Sequence, residues 1–232
     1  QQNIQIIIYN FTSIDTNPRN HFEKIDIITN LRDDTETKNL IKLFCTTLFY
    51  TNADNKFLFF IKEESDKSLY YKIPDDHIKE TNSIIEDLKI NDNTSNINFS
   101  DGCIIDNTDI YLLDKYGSNI YTYNIFVNID TNKIELNCNN IIETTETYDT
   151  FESPTYSKLL HHSNILYLIP YNTNSICIYN INNSNKSISD PILNYNINQK
   201  LFNGGTIIEL NNISYIIMIP YEADKLYMYN IN

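Results

Sequence analysis

Short apolar runs separated by clusters of Asn, Asp, Ser and Thr fill the chain, and runs bounded in this way read as strands joined in hairpins. Two such stretches repeat in register. Residues 165–172 (ILYLIPYN) followed by 175–181 (SICIYNI) return fifty residues later as 215–222 (YIIMIPYE) followed by 225–231 (KLYMYNI). Upstream, Asp109 to Leu113 and then Asn119 to Ile125 fit the same template with Asp114 in place of the proline. Phe57 to Ile61 followed by Ser68 to Ile73 is a weaker copy. The tyrosines that mark the copies, Tyr71, Tyr123, Tyr179 and Tyr229, are spaced 52, 56 and 50 residues apart.

Another strand precedes each hairpin, at residues 43–50, 102–105, 158–160 and 205–210, and a more polar fourth strand follows at 133–136 and 187–192. The expected fold class is all-β. Units of four antiparallel strands cover approximately residues 40–98, 99–150, 151–200 and 201–232 of a single domain spanning 1–232. Antiparallel four-stranded sheets repeating near this period are the blades of a β-propeller. The last unit stops after its third strand, so Ile4 to Tyr9 or Ile25 to Ile28, within residues 1–39, is expected to complete it and hide an open edge. In the alternative, residues 1–11 are the third strand of a blade whose beginning is lost, and the chain is a piece of a larger ring. Helical patterning is confined to Asp75 to Leu88, expected as a loop insertion with a short helix as the alternative.

The repeated pattern resembles the blade repeat of kelch-like and related β-propeller proteins, in which a strand ends in a short turn and the next ends in Tyr-Asp or Tyr-Asn. The resemblance covers residues 40–232 at the level of the motif. The chain departs from it in having no Trp, and in placing its Gly204-Gly205 pair before the first strand of a unit.

Charge narrows the partners. Thirty acidic against 17 basic side chains give a formal net charge of −13, which disfavours a phosphate backbone, since each contact there needs a Lys or Arg. Asn is so abundant that Asn-x-Ser/Thr triplets carry no weight. No apolar run approaches the eighteen or so residues of a membrane-spanning helix, and a cytoplasmic or virion-associated setting is favoured over secretion. Cys45, Cys103, Cys138 and Cys177 form no CxxC pair.

Candidate chemistry is sparse. His161-His162 are neighbours, which strand geometry turns to opposite faces, and they read as part of a turn. His21 has no Cys or second His at ligand spacing; His77 has acidic neighbours in Asp75, Asp76 and Glu80, which in so polar a stretch read as a solvated loop or a helix start. With four Gly and no nucleophile or phosphate motif, no catalytic residue, metal or cofactor is assigned. In a propeller the turns between second and third strands share one face. Here they carry Glu63, Tyr116, Tyr171, Asn172, Tyr221 and Glu222, which are the candidate binding residues, because Tyr offers a large contact area with a polar tip. The sequence thus favours a non-catalytic interaction or structural module holding a protein partner, or a component of a larger assembly. The rival is a glycan-acting hydrolase or lyase with its site in the central channel.

Overall fold

The computed structural model describes residues 6–10, 23–28, 44–52, 55–62, 68–73, 85–91, 97–106, 108–115, 119–128, 133–144, 155–189 and 200–232. Every regular element among them is a strand. β1 (Ile6–Asn10) and β2 (Glu23–Ile28) form a two-stranded sheet of their own. The rest falls into four successive units. The first is β3 (Phe44–Asn52), β4 (Asn55–Lys62), β5 (Ser68–Ile73) and β6 (Ile85–Asn91), and the second is β7 (Phe99–Ile105), β8 (Asp109–Asp114), β9 (Asn119–Asn128) and β10 (Lys133–Glu143). The third is β11 (Tyr156–His162), β12 (Ile165–Pro170), β13 (Cys177–Asn180) and β14 (Asn185–Ile188), and the fourth is β15 (Phe202–Leu210), β16 (Ile213–Pro220) and β17 (Tyr227–Asn230).

Within each unit consecutive strands pair antiparallel. The template strands keep one register throughout: Leu58 faces Tyr71, Ile110 faces Tyr123, Leu166 faces Tyr179 and Ile216 faces Tyr229. The first strand of every unit is also irregular just after its opening aromatic residue. Phe44, Phe99, Tyr156 and Phe202 each pair with the last residue of the second strand before the register shifts. A bulge bends a strand and increases its twist, so the four first strands share one bend.

Alternation explains how the units meet. Along β8, Ile110 and Leu112 enter the core shared with the first unit, while Tyr111 and Leu113 enter the core shared with the third. Along β12, Leu166 and Leu168 point back to the second unit, and Tyr167 and Ile169 point on to the fourth. Side chains on a strand alternate between faces, so the central units are apolar on both faces. The repeated Tyr-Asn-Ile ending has a physical reason. Tyr123 and Ile125 belong to the first inter-unit core, Tyr179 and Ile181 to the second, Tyr229 and Ile231 to the third. Each Ile also donates its N–H back to the start of the preceding strand or its turn: Ile125 to Thr108 O (3.1 Å), Ile181 to Asn164 O (2.9 Å) and Ile231 to Ser214 O (3.1 Å). The units touch through their first strands, β3 with β7, β7 with β11 and β11 with β15.

Three expectations change. Ile85 to Leu88 is extended in β6, the fourth strand of the first unit, and takes no helical form; β5 offers an edge whose hydrogen-bonding groups a strand satisfies. The rest of that segment lies outside the described residues. The first two units are not separate four-stranded sheets. β6 and β10 pair in parallel from Lys89 to Asn91, making one eight-stranded sheet. A polar ladder holds this seam: Asn91 Nδ2 donates to Glu135 Oε2 (2.9 Å) and Asn137 Oδ1 (2.7 Å), and Lys89 Nζ lies 3.4 Å from Glu135. These bonds, that from Asn91 first, hold the Glu135 carboxyl below its ordinary value. Finally, β1 takes β2 as its partner, and among the described residues β17 is an edge strand.

Candidate binding face

The turns after the second strands are tied down by backbone hydrogen bonds of one kind. Lys115 N–H donates to Asn98 O (2.6 Å), Tyr171 N–H and Asn172 N–H both donate to Thr155 O (2.9 and 3.1 Å), and Tyr221 N–H donates to Leu201 O (2.9 Å). In every case the turn is fastened to the residues leading into its own unit's first strand. The prolines at Pro170 and Pro220 suit these ends, because their missing donors are not needed there.

Between the third and fourth units the fastening crosses over. Leu201 N–H donates to Tyr171 O (2.7 Å), which brings the turn of one unit against the entry to the next. Tyr171 and Tyr221 then lie with ring centroids 6.0 Å apart at 45°. Lys200 Nζ sits 5.8 Å from the Tyr171 ring and 6.0 Å from that of Tyr221, within range of the ring quadrupoles. Glu222 closes the group: its carboxylate accepts from Lys200 N–H (2.9 Å), and its N–H donates to Lys200 O (3.0 Å). Tyr221 is 56% exposed, while Tyr171 and Asn172 are half-buried.

Of the sequence candidates, Tyr171, Tyr221 and Glu222 therefore come together, and Asn172 adjoins them. Tyr116 and Glu63 lie outside the described residues. Lys200 is the member that sequence reasoning missed, because it precedes the first strand and not the turn; only the repeat register, which places it beside that turn, signals it.

A second polar group lies inside. Asp101 on β7 is 1% exposed and accepts from Lys158 Nζ and from Leu159 N–H, both at 2.8 Å, on the neighbouring first strand β11. Burial pushes the nearby Cys103 thiol up to about 12, and the Asp101 carboxylate adds to the rise. Cys177 rises to about 11 by burial. Both are held as neutral thiols, unlike reactive cysteines with lowered values. His161 and His162 are not in a turn: they end β11, the turn begins at Ser163, and His161 Nε2 is buried without a hydrogen-bond partner. Among the described residues no three His, Cys, Asp or Glu side chains converge as metal ligands, and no helix is long and apolar enough to cross a membrane.

The fold and this face define an all-β protein of several, mainly antiparallel sheets with an aromatic, charged cluster at one edge. No family model matches the chain, and no curated protein matches it; the kelch-like likeness stays at the level of the motif. Among solved structures it is similar to virginiamycin B lyase from Staphylococcus aureus, at 12% identity and TM-score 0.44, over 89% of this chain and 60% of that one. It is also similar to the periplasmic gluconolactonase of Pseudomonas aeruginosa (9%, 0.46, 80% and 56%) and to an auxiliary nutrient binding protein from Bacteroides thetaiotaomicron (11%, 0.42, 77% and 42%). The chain spans 60% or less of the length of each.

Proposed function

We propose that the protein is a non-catalytic interaction module built on β-propeller blades, which holds a protein partner on the face carrying the turns after the second strands. The observation that carries this reading is the cluster of Tyr171, Tyr221, Lys200 and Glu222. Two large rings, a cation and a carboxylate are held by backbone hydrogen bonds at a junction of two units. Rigid aromatic groups with polar tips lose little entropy on binding, and aromatic and cationic side chains dominate protein interfaces energetically.

The contacts among first strands and the two-faced cores of the central units support the propeller reading, because blades meet face to face around their innermost strands. The test is a phage-displayed peptide library selected on the full chain. Peptides that bind the wild type are expected to lose about tenfold or more on Tyr221→Ala or Tyr171→Ala, with the thermal midpoint of Tyr221→Ala nearly unchanged. Selected peptides indifferent to both substitutions would sink the reading.

A further inference from the structure

The irregular start of β15 holds the chain's one Asn-Gly pair, Asn203-Gly204. In such a pair the backbone nitrogen that follows the Asn can reach the side-chain amide carbon, because glycine brings no Cβ to crowd the approach. The reaction needs a backbone free to turn at the Asn, and the structure supplies it. Phe202 pairs with Pro220 and Gly205 with Met218, so Asn203 and Gly204 take no partner on β16. In the second and third units the same irregularity leaves out one residue of the first strand, Ser100 or Ser157, and none of the second. Here it is wider, passing over Asn203, Gly204 and also Ile219. Rotation at Asn203 therefore breaks no pairing with β16, and β15 is an edge of its sheet.

Room and water are present as well. Gly204 has φ 131°, and a Cβ built on it would meet nothing within 4 Å, so the space beside the backbone is open. Asn203 is exposed, which lets water reach the carbon under attack. Gly204 is buried, but its nitrogen attacks within the chain and needs no water of its own. The corresponding Ser100 and Ser157 are only half-buried, so this position is not sealed where a further unit follows.

We propose that Asn203 is a site of spontaneous covalent modification, converted through a succinimide into aspartate and isoaspartate. The Gly204 nitrogen loses its proton and bonds to Cγ of Asn203, and the side-chain nitrogen departs as ammonia. Water then opens the ring. Cleavage of the bond from the ring nitrogen to Cγ leaves an ordinary aspartate; cleavage of the bond to the main-chain carbonyl carbon leaves the chain running through the side chain as isoaspartate. Overall water is consumed and ammonia released, with no oxidant or reductant. Either product places a carboxylate three residues beyond Lys200. Isoaspartate also lengthens the backbone just after Leu201, which fastens the turns of two units, and Phe202, whose ring packs 5.5 Å from that of Tyr227. The chemistry is independent of what the tyrosine cluster binds.

The test is incubation of the folded full chain at mildly alkaline pH, where the attacking nitrogen loses its proton more readily, followed by digestion, peptide mass spectrometry and labelling with an isoaspartate-specific methyltransferase. Conversion is expected first at Asn203, several-fold faster than at the exposed Asn182 and Asn183 of the turn between β13 and β14, which are followed by residues carrying a Cβ. The rate in the folded chain should come close to that in the urea-denatured chain. Asn203→Ser, which places there the residue that the second and third units carry, should remove the isoaspartate while leaving the urea midpoint close to that of the wild type. The proposal is overturned by conversion at Asn203 no faster than at Asn182 and Asn183, by conversion there only after denaturation, or by an isoaspartate yield that Asn203→Ser leaves unchanged.

Discussion

Gly102 lies where the adjacent strand leaves no room for a side chain: an added Cβ would be 2.5 Å from Leu112 Cδ2 and 2.8 Å from the Tyr111 carbonyl oxygen. Gly102→Ala is expected to destabilise the fold by about 1–3 kcal/mol through overpacking, read as a lower urea midpoint; an unchanged midpoint contradicts the close approach. Buried thiols give a second prediction. Cys103 and Cys177 titrate from an ordinary value of 9.0 in the unfolded chain to about 12 and about 11 when folded. Their folded values are raised, so the native state holds more protons above pH 9, and the stability they confer is complete below pH 9 and lost as pH rises towards 11 and 12. Urea midpoints should fall across that window, and the Cys103→Ala, Cys177→Ala double variant should flatten the fall. These residues were poorly legible in the sequence. A Gly or Cys within a strand does not announce what lies across from it. The turn residues were more legible: Asn211 and Asn212 adopt positive φ between β15 and β16, a conformation Asn tolerates.

Strands with two buried faces and strands with one respond differently to truncation. Leu168 in β12 is fully buried in the second core, so Leu168→Ala should cost about 2–5 kcal/mol. Ile219→Ala, at an exposed position of β16, should change unfolding by less than about 0.5 kcal/mol. Equal effects from chemical denaturation would contradict the assignment of faces. The second and third strands were legible because the apolar alternation and the Tyr-Asn-Ile ending reflect packing that recurs in each unit. The fourth strands were not. β14 is polar and exposed from Asn185 to Ser187, and an outer strand needs only backbone pairing, which leaves little mark on sequence. In β6, Ile85 and Leu88 are three apart, a spacing compatible with a helix, and the open edge of β5 decides for strand.

Taken together, the chain is a series of units joined at their first strands, with turns fastened along one edge and a tyrosine cluster where two of those turns converge. The repeat made the series legible, but not the parallel seam between β6 and β10, which rests on the meeting of two outer strands far apart in sequence. Nor was the Asp101–Lys158 ion pair legible, although its members stand at matching places on consecutive first strands. That pair offers the most direct test of the arrangement. Asp101 and Lys158 meet only if β7 and β11 lie side by side. A double-mutant cycle with Asp101→Ala and Lys158→Ala, measured by urea unfolding, should give a coupling energy of about 1–3 kcal/mol. Strict additivity of the two substitutions would separate the first strands and contradict a series of units joined through them.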